Sequence, residues 1–341
     1  MKNTQNFVYT AIDKMRVWDL WRYLNPDMLT VLNYHRIANP DAPNAFFKPN
    51  ISATPEMFDA QLDYLEKNFN VISIRDLVSW LNGEEELPER AALITFDDGY
   101  RDNYLYAYPT LKRRWMPAAI FLATGYIDNN KPFFWDLLAY AMMNTKKDYL
   151  SLRIGGTFDW ESEQEKEANI RPLVEALKNL AEDQKIQAVD EVISLLDVAI
   201  PDNLFDDLFL TWNQVIEMSK DGIEMGGHTV NHPILTRVPP KLAAEEIVGC
   251  KLKIESATGR KVISFAYPNG QAGDYNKKLM AFVKKTGYEV AFSLRSGPQE
   301  YKKTKSSRYA IRRVFLSHHD TLPKFIAKLY GLPRLVEKIR G

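Results

Sequence analysis

Cysteine occurs once in these 341 residues, at Cys250, which excludes an internal disulfide framework. Net charge is missing too: 44 basic residues balance 44 acidic ones, so no global field draws the chain to nucleic acid. No apolar run approaches the roughly 20 residues that a membrane-spanning helix requires. The opening residues carry Asp13, Lys14, Arg16 and Asp19 where a secretory signal would need a continuous apolar segment. A cytoplasmic location is the resulting expectation. Internal repeats and low-complexity tracts are absent as well, and the length suffices for one elaborated domain or two.

Histidine is scarce, with five in all, yet two of the five stand four residues apart in His228-Thr229-Val230-Asn231-His232. Far upstream, Ile94-Thr95-Phe96-Asp97-Asp98-Gly99 sets two adjacent carboxylates on the rim of an apolar segment. Together they offer three ligands for one divalent metal, Asp98, His228 and His232, with the carboxylate of Asp97 to spare. Three protein ligands leave a coordination position open for water, which distinguishes a catalytic site from a structural one. Asp97 is then the candidate general base. The competing readings are that Asp98 caps a helix beginning near Tyr100 and that the histidines are ordinary loop residues. Such a donor set suits zinc foremost and also accommodates cobalt, nickel or iron.

Short apolar runs alternate with amphipathic helical patterns along the chain. They predict buried parallel strands near 29–34, 91–96, 117–123, 222–226, 261–267, 288–294 and 309–316, with a short extra one at 71–74. Thr54 and Pro55 mark a helix start, followed by Phe58, Leu62, Leu65 and Phe69 at helical spacing, and Thr258-Gly259 stops another helix. This alternation gives a parallel sheet, either closed as a barrel or open and doubly wound. In both, chemistry collects at the carboxyl ends of strands. His35, Asp97, Asp98, His228 and Tyr267-Pro268-Asn269 all fall at such ends.

At these residues the chain resembles the polysaccharide deacetylases of carbohydrate esterase family four, in which Thr-Phe-Asp-Asp-Gly and His-Ser/Thr-x-x-His recur. The likeness continues through Leu210-Thr211-Trp212, the run from Gly222 to Gly226, and Phe265-Ala266-Tyr267-Pro268-Asn269-Gly270, covering about 29–125 and 205–325. It implies a distorted, incomplete (β/α)7 barrel that removes acetyl or related acyl groups from amino sugars of a polysaccharide or lipid-linked precursor. Hydrolysis of an amide needs a proton at the departing amine, and an imidazole suits that task. Many members carry this histidine in a C-terminal Leu-x-His, for which Leu316-Ser317-His318 is the counterpart here. The poly-N-acetylglucosamine deacetylases instead carry Tyr-His on the first strand, and Tyr34-His35 matches that order, so His35 is favoured over His318. Where the family often has Arg-x-Pro-Tyr, this chain has Tyr267-Pro268-Asn269 and no arginine. The backbone amide of Asn269 remains for an oxyanion, since Pro268 has none. Arg313, on the last strand, is either a substitute for the missing arginine or an ordinary ion-pairing side chain.

Residues 127–208 exceed what a strand-helix-strand return needs and read as a helical insert, with Ile170, Leu173, Val174, Leu177 and Leu180 on one face. The insert either overhangs the active-site rim or packs only on the barrel side. The expected organisation is an N-terminal helical segment over 1–28, a barrel over 29–325 and a C-terminal basic amphipathic helix over 326–341. In and just before that helix Phe325, Leu329, Leu332, Val336 and Ile339 interleave with Lys324, Lys328, Arg334, Lys338 and Arg340. The pattern fits peripheral contact with an anionic membrane or closure of the barrel. An N-acetylated glycan is the expected partner. The alternatives are an amidohydrolase acting on a small non-sugar amide, which an enclosed small pocket would support, and a carbohydrate-binding protein without turnover.

Overall fold

The computed structural model describes residues 27–154 and 156–332. Seven apolar segments form parallel strands: β1 (Met28–Tyr34), β2 (Ala91–Asp98), β3 (Ala119–Leu122), β4 (Glu224–Gly227), β5 (Ser264–Ala266), β6 (Val290–Ser296) and β7 (Ile311–Phe315). They pair in the order β1-β7-β6-β5-β4-β3-β2, and β2 returns to β1 from Thr30↔Ala92 through Tyr34↔Phe96, so the sheet closes on itself. The fold is therefore the expected (β/α)7 barrel, one strand short of the eight-stranded form. Its distortion lies between β6 and β7, where the register shifts between Phe292 and Ser296.

β2 shows how the sequence directs this closure. All eight of its residues are buried, as a strand covered on both faces requires. Leu93 faces the barrel interior with Thr95 and Asp97, while Ile94 and Phe96 pack outward against helices. Val31, Leu93, Phe121 and Phe292 fill the interior together with Ile74, Leu77 and Trp80 from the helix Ile74–Asn82. Gly226 permits this packing, because a Cβ there would lie 2.3 Å from Phe121 Cδ1. The strands expected at 117–123 and 261–267 are shorter than their apolar runs. Pro117 has no N–H for a ladder, and Val262 N donates to Glu255 Oε1 at 2.9 Å rather than to a strand.

The helix α1 (Pro55–Asn68) starts where its signals stand, with Thr54 Oγ1 accepting from Met57 N at 3.3 Å. The insert holds α2 (Phe134–Asn144), α3 (Glu163–Lys178) and α4 (Glu182–Leu196), packed on a core of their own that includes Trp135, Leu138, Leu173, Leu177 and Val192. It also contains an antiparallel hairpin, Tyr149–Leu152 against Gly156–Asp159, which the all-helical reading lacks. The alternation there runs for only four residues, too few to stand out in sequence. α5 (Pro240–Thr258) ends on Gly259, whose φ of 66° supplies the left-handed cap.

The last described helix, α6 (Leu322–Leu329), starts ahead of the expected C-terminal element and overlaps its first residues. Phe325, Ile326, Ala327 and Leu329 are buried in the barrel core, so the first part of the supposed membrane face serves closure of the barrel. Residues 333–341, and the N-terminal segment up to residue 26, lie outside the described residues. Met28 already belongs to β1. Among the described residues no helix is long and apolar enough to cross a membrane.

Candidate active site

The carboxyl ends of the strands open into one cleft of about 1140 Å³. His35, Asp97, Asp98, His228, His232, Tyr267, Asn269, Arg313 and His318 all line it, whereas Pro268 is buried and is not among its lining residues. The other wall comes from α2 and α3, through Tyr140, Met143, Glu167, Arg171 and Lys178. The insert thus overhangs the active-site rim.

Asp98, His228 and His232 bring one ligating atom each within 4.8 Å of one another. Nε2 of His228 and Nε2 of His232 are 3.1 Å apart, and each is 3.5 Å from Asp98 Oδ1. Ligands about 2 Å from a shared ion at near-tetrahedral angles would be spaced in just this way. His228 Nδ1 lies 2.7 Å from the carbonyl of Ala266, which fixes the proton on Nδ1 and turns Nε2 toward Asp98. Both carboxylate oxygens of Asp98 are buried and accept no hydrogen bond. That excludes the helix-capping reading and leaves a buried carboxylate whose lone pairs are free for a cation. The two imidazoles differ electrostatically. Burial pushes His228 down but the Asp97 and Asp98 carboxylates override it and raise its pKa. Burial, then the neighbouring His228, hold His232 well below the ordinary range.

Asp97 occupies a different environment. Arg313 Nη1 and Nη2 donate to its two oxygens at 2.7 Å each, and Asn33 Nδ2 donates to Oδ2 at 2.9 Å. Burial alone would raise this carboxyl, but the Arg313 guanidinium, with His228, holds it at about 2. Arg313 is itself buried and is oriented by Ser293 O, which accepts from Nε at 3.1 Å. It thus stands against Asp97 as a bidentate partner, where the chain lacks the arginine of the usual third motif.

His35 is half-buried, and its Nδ1 has no hydrogen-bond partner. Burial lowers its pKa, and the Asp98 and Asp97 carboxylates pull it partly back. The result is an imidazole that is a stronger acid than usual, with a smaller protonated fraction at neutral pH. His318 faces the same cleft from farther along, with Nδ1 3.1 Å from Ile51 O and its ring 3.9 Å from that of His319. The third-motif residues divide their tasks. Tyr267 OH donates to Tyr309 O at 3.0 Å and its ring stacks on Tyr275, so its side chain serves packing. Asn269 commits its side chain to Asp274 Oδ2 at 2.7 Å.

Eight non-glycine residues in the described chain have positive φ, and four of them, Asp98 (79°), Thr229 (69°), His232 (58°) and Asn269 (59°), belong to this site. Such conformations cost about 1–3 kcal/mol each and persist only where the surrounding structure compels them. The strain is therefore concentrated where geometry must be fixed.

Several polar residues around the site carry no sequence signal of their own. Asn33 reaches Asp97 across 64 positions of chain. Tyr100 OH donates to Asp136 Oδ2 at 2.7 Å and accepts from Trp135 Nε1 at 2.8 Å, tying the insert to the loop after Asp98. Burial pushes the Asp136 carboxyl up to about 7. The ring of Trp135 lies 5.1 Å from that of His232, edge to face. Only Glu246 could have been noticed, as a lone carboxylate in the apolar stripe of α5.

Residues 84–291 match the family model described as polysaccharide deacetylase, and the chain belongs to that family. YxkH of Bacillus subtilis is 22% identical over 293 residues, which are 86% of this chain and 72% of that protein. The poly-β-1,6-N-acetyl-D-glucosamine N-deacetylase of Staphylococcus epidermidis is 28% identical over 140 residues, 38% of this chain and 46% of that enzyme. The match thus spans less than half of the staphylococcal protein. Among solved structures, the Streptococcus pyogenes deacetylase PplD in complex with acetate superposes with a TM-score of 0.58 at 18% identity, covering 89% of this chain and 99% of that one. IcaB from Ammonifex degensii gives 0.57 at 20% identity, covering 89% and 97%. At such identities the likeness to the solved structures establishes the fold, and the family membership makes the protein a polysaccharide deacetylase.

Proposed function

We propose that this deacetylase is a metal-dependent enzyme, with zinc as its ion, that removes N-acetyl groups from amino sugars within a glycan chain. The observation that carries the reading is the unpaired, buried Asp98 carboxylate facing two imidazole nitrogens, with Asp97 beside them in the same cleft. The cleft supports a polymer over a small amide: about 1140 Å³ exceeds the roughly 300–1,000 Å³ of ordinary small-ligand pockets. The staphylococcal relatives carry poly-β-1,6-N-acetyl-D-glucosamine in their names, which makes a glucosamine polymer the first substrate to try.

An ion held by Asp98, His228 and His232 would supply Lewis acidity to an attacking water and to the acyl oxygen. The residues of the chain do the rest. Asp97, ionised at all working pH and locked by Arg313, takes a proton from the water as the new C–O bond forms. Because a carboxylate this acidic is a weak base, its contribution is a fixed position more than a strong pull. The amide of Asn269, in a left-handed backbone conformation beside the cleft, is the oxyanion donor. His35 presents its unpartnered Nδ1 and protonates the nitrogen as the C–N bond breaks, leaving acetate and an amine.

The test is a series of N-acetylglucosamine oligomers, with acetate release followed for wild type, His35→Ala and His318→Ala. Oligomers should be turned over with higher kcat/KM than the monosaccharide. His35→Ala should lose about 10²- to 10⁴-fold on the amide and far less on an activated acetyl ester, whose leaving group departs without a proton. Selective loss in His318→Ala, with His35→Ala near wild type, would exchange their roles. A preference for the monosaccharide would remove the polymer.

A further inference from the structure

The buried residues of α5 are Ala243, Glu246, Ile247, Cys250, Lys251 and Ile254; Lys251 pairs with Glu255 and the carbonyl of Val262, which leaves Glu246 as a buried carboxylate with no cation beside it on the helix. Glu246 is 4% exposed and pairs with no cation among the described residues. Burying such a charge costs several kcal/mol unless donors replace the lost water. Here they come from the loop between the two histidines. Val230 N and Asn231 N both donate to Glu246 Oε2, at 2.7 and 2.8 Å, and Asn231 Nδ2 donates to Oε1 at 2.8 Å. Two consecutive backbone amides thus wrap one carboxylate, the arrangement by which a short loop makes an anion nest.

The loop needs such a partner because it is strained at both ends, with Thr229 at φ 69° and His232 at φ 58°. Its other hydrogen bonds run to different atoms, and Tyr126 OH donates to Asn231 O at 3.3 Å. His232 N donates to Thr229 Oγ1 at 2.9 Å, Thr124 N donates to Thr229 O at 3.1 Å, and Gly125 N donates to Val230 O at 2.8 Å. The last contact depends on glycine, since a Cβ at Gly125 would lie 2.8 Å from that oxygen. None of these holds the amides of Val230 and Asn231, and turning them outward would rotate His232 away from Asp98.

We propose that Glu246 is a positioning residue: its carboxylate holds the 229–232 loop in its left-handed form and so presets His232 for a divalent ion. The inference rests on the metal-site reading above. Its carboxylate is taken up by the loop amides and is not one of the three candidate ligands, so it would act through the backbone of the loop, as outer partners of metal ligands do.

The experiment measures affinity for Co(II), by competition with a chromophoric chelator, and the visible spectrum of the Co(II) protein. Glu246→Ala is expected to weaken binding 10- to 100-fold, the range typical of lost outer partners, and to change the Co(II) spectrum. Glu246→Asp, which keeps the charge but falls short of the two amides, should lose about tenfold and provides the answer if the alanine variant does not fold. Glu246→Gln can offer one oxygen to both amides while Asn231 turns its carboxamide, and should stay within about threefold of wild type. Ile254→Ala, two turns along the same helix, controls for stability and should bind as wild type. Folded alanine and aspartate variants with wild-type affinity and spectrum would overturn the inference alone. Wild-type protein that takes up no divalent ion would overturn it together with the metal-site reading.

Discussion

Asp98→Ala, His228→Ala and His232→Ala are each expected to purify with little bound ion and no measurable turnover, whereas Asp97→Asn keeps its ion and loses about 10²- to 10⁴-fold in kcat. The division follows from where the two adjacent carboxylates point. Asp98, at φ 79°, turns its unpartnered oxygens toward the imidazoles, while Asp97 is held in the barrel interior by Arg313 and Asn33. Removing a ligand takes away one of three donors. Replacing Asp97 by asparagine leaves those three untouched and removes the proposed proton acceptor. Metal content and single-turnover rates on the same samples check the division, and equal loss of metal in Asp97→Asn and Asp98→Ala would contradict it.

Arg313→Met should destabilise the protein by about 3–5 kcal/mol, because it leaves the buried Asp97 charge uncompensated. Its pH dependence follows from linkage. In the wild type the carboxyl is depressed to about 2, so it contributes stability that is present above about pH 4 and lost as pH falls through 2. Without the guanidinium, burial dominates and raises this carboxyl instead. The stability loss on substitution should therefore be larger at pH 7 than at pH 4. Turnover should also acquire an acid limb in the weakly acidic range, as Asp97 takes up a proton that the wild type refuses there. Denaturant titrations at the two pH values and a kcat/KM profile measure both effects. A stability loss that is equal at both pH values, with an unshifted profile, would separate Arg313 from the base.

The contrast between Asp98 and Arg313 also explains what was legible in the sequence. Seven strands could be read because a barrel strand buries both faces and so appears as an unbroken apolar run, as Ala91–Asp98 does. The candidate ligand set could be picked out because each of its parts is local: two adjacent carboxylates, and two histidines four residues apart. The pairing of Arg313 with Asp97 spans 216 positions, and no local pattern distinguishes it from a surface ion pair. Asn33 is silent for the same reason, since its role arises only when the barrel closes, while Glu246 shows only as a carboxylate in an apolar stripe whose partner, the histidine loop, is revealed when α5 packs behind it. The insert was visible as excess length, but its place over the cleft depends on Trp135 and Asp136 meeting Tyr100, contacts that periodicity does not encode. The two readings of the C-terminal helix could not be separated in sequence because an amphipathic face looks alike whether a bilayer or a barrel covers it; Phe325 and Leu329 cover the barrel, and residues 333–341 lie outside the described residues.

The most direct measurement is acetate release from N-acetylglucosamine oligomers by one protein sample, carried through metal loading, complete chelation and reloading. One acetate and one free amine should appear per cleavage by the loaded protein, cease on chelation, return on reloading, and be absent throughout in Asp98→Ala. Acetate release that persists after the ion is gone, or that occurs only from small non-sugar amides, would contradict a metal-dependent glycan deacetylase.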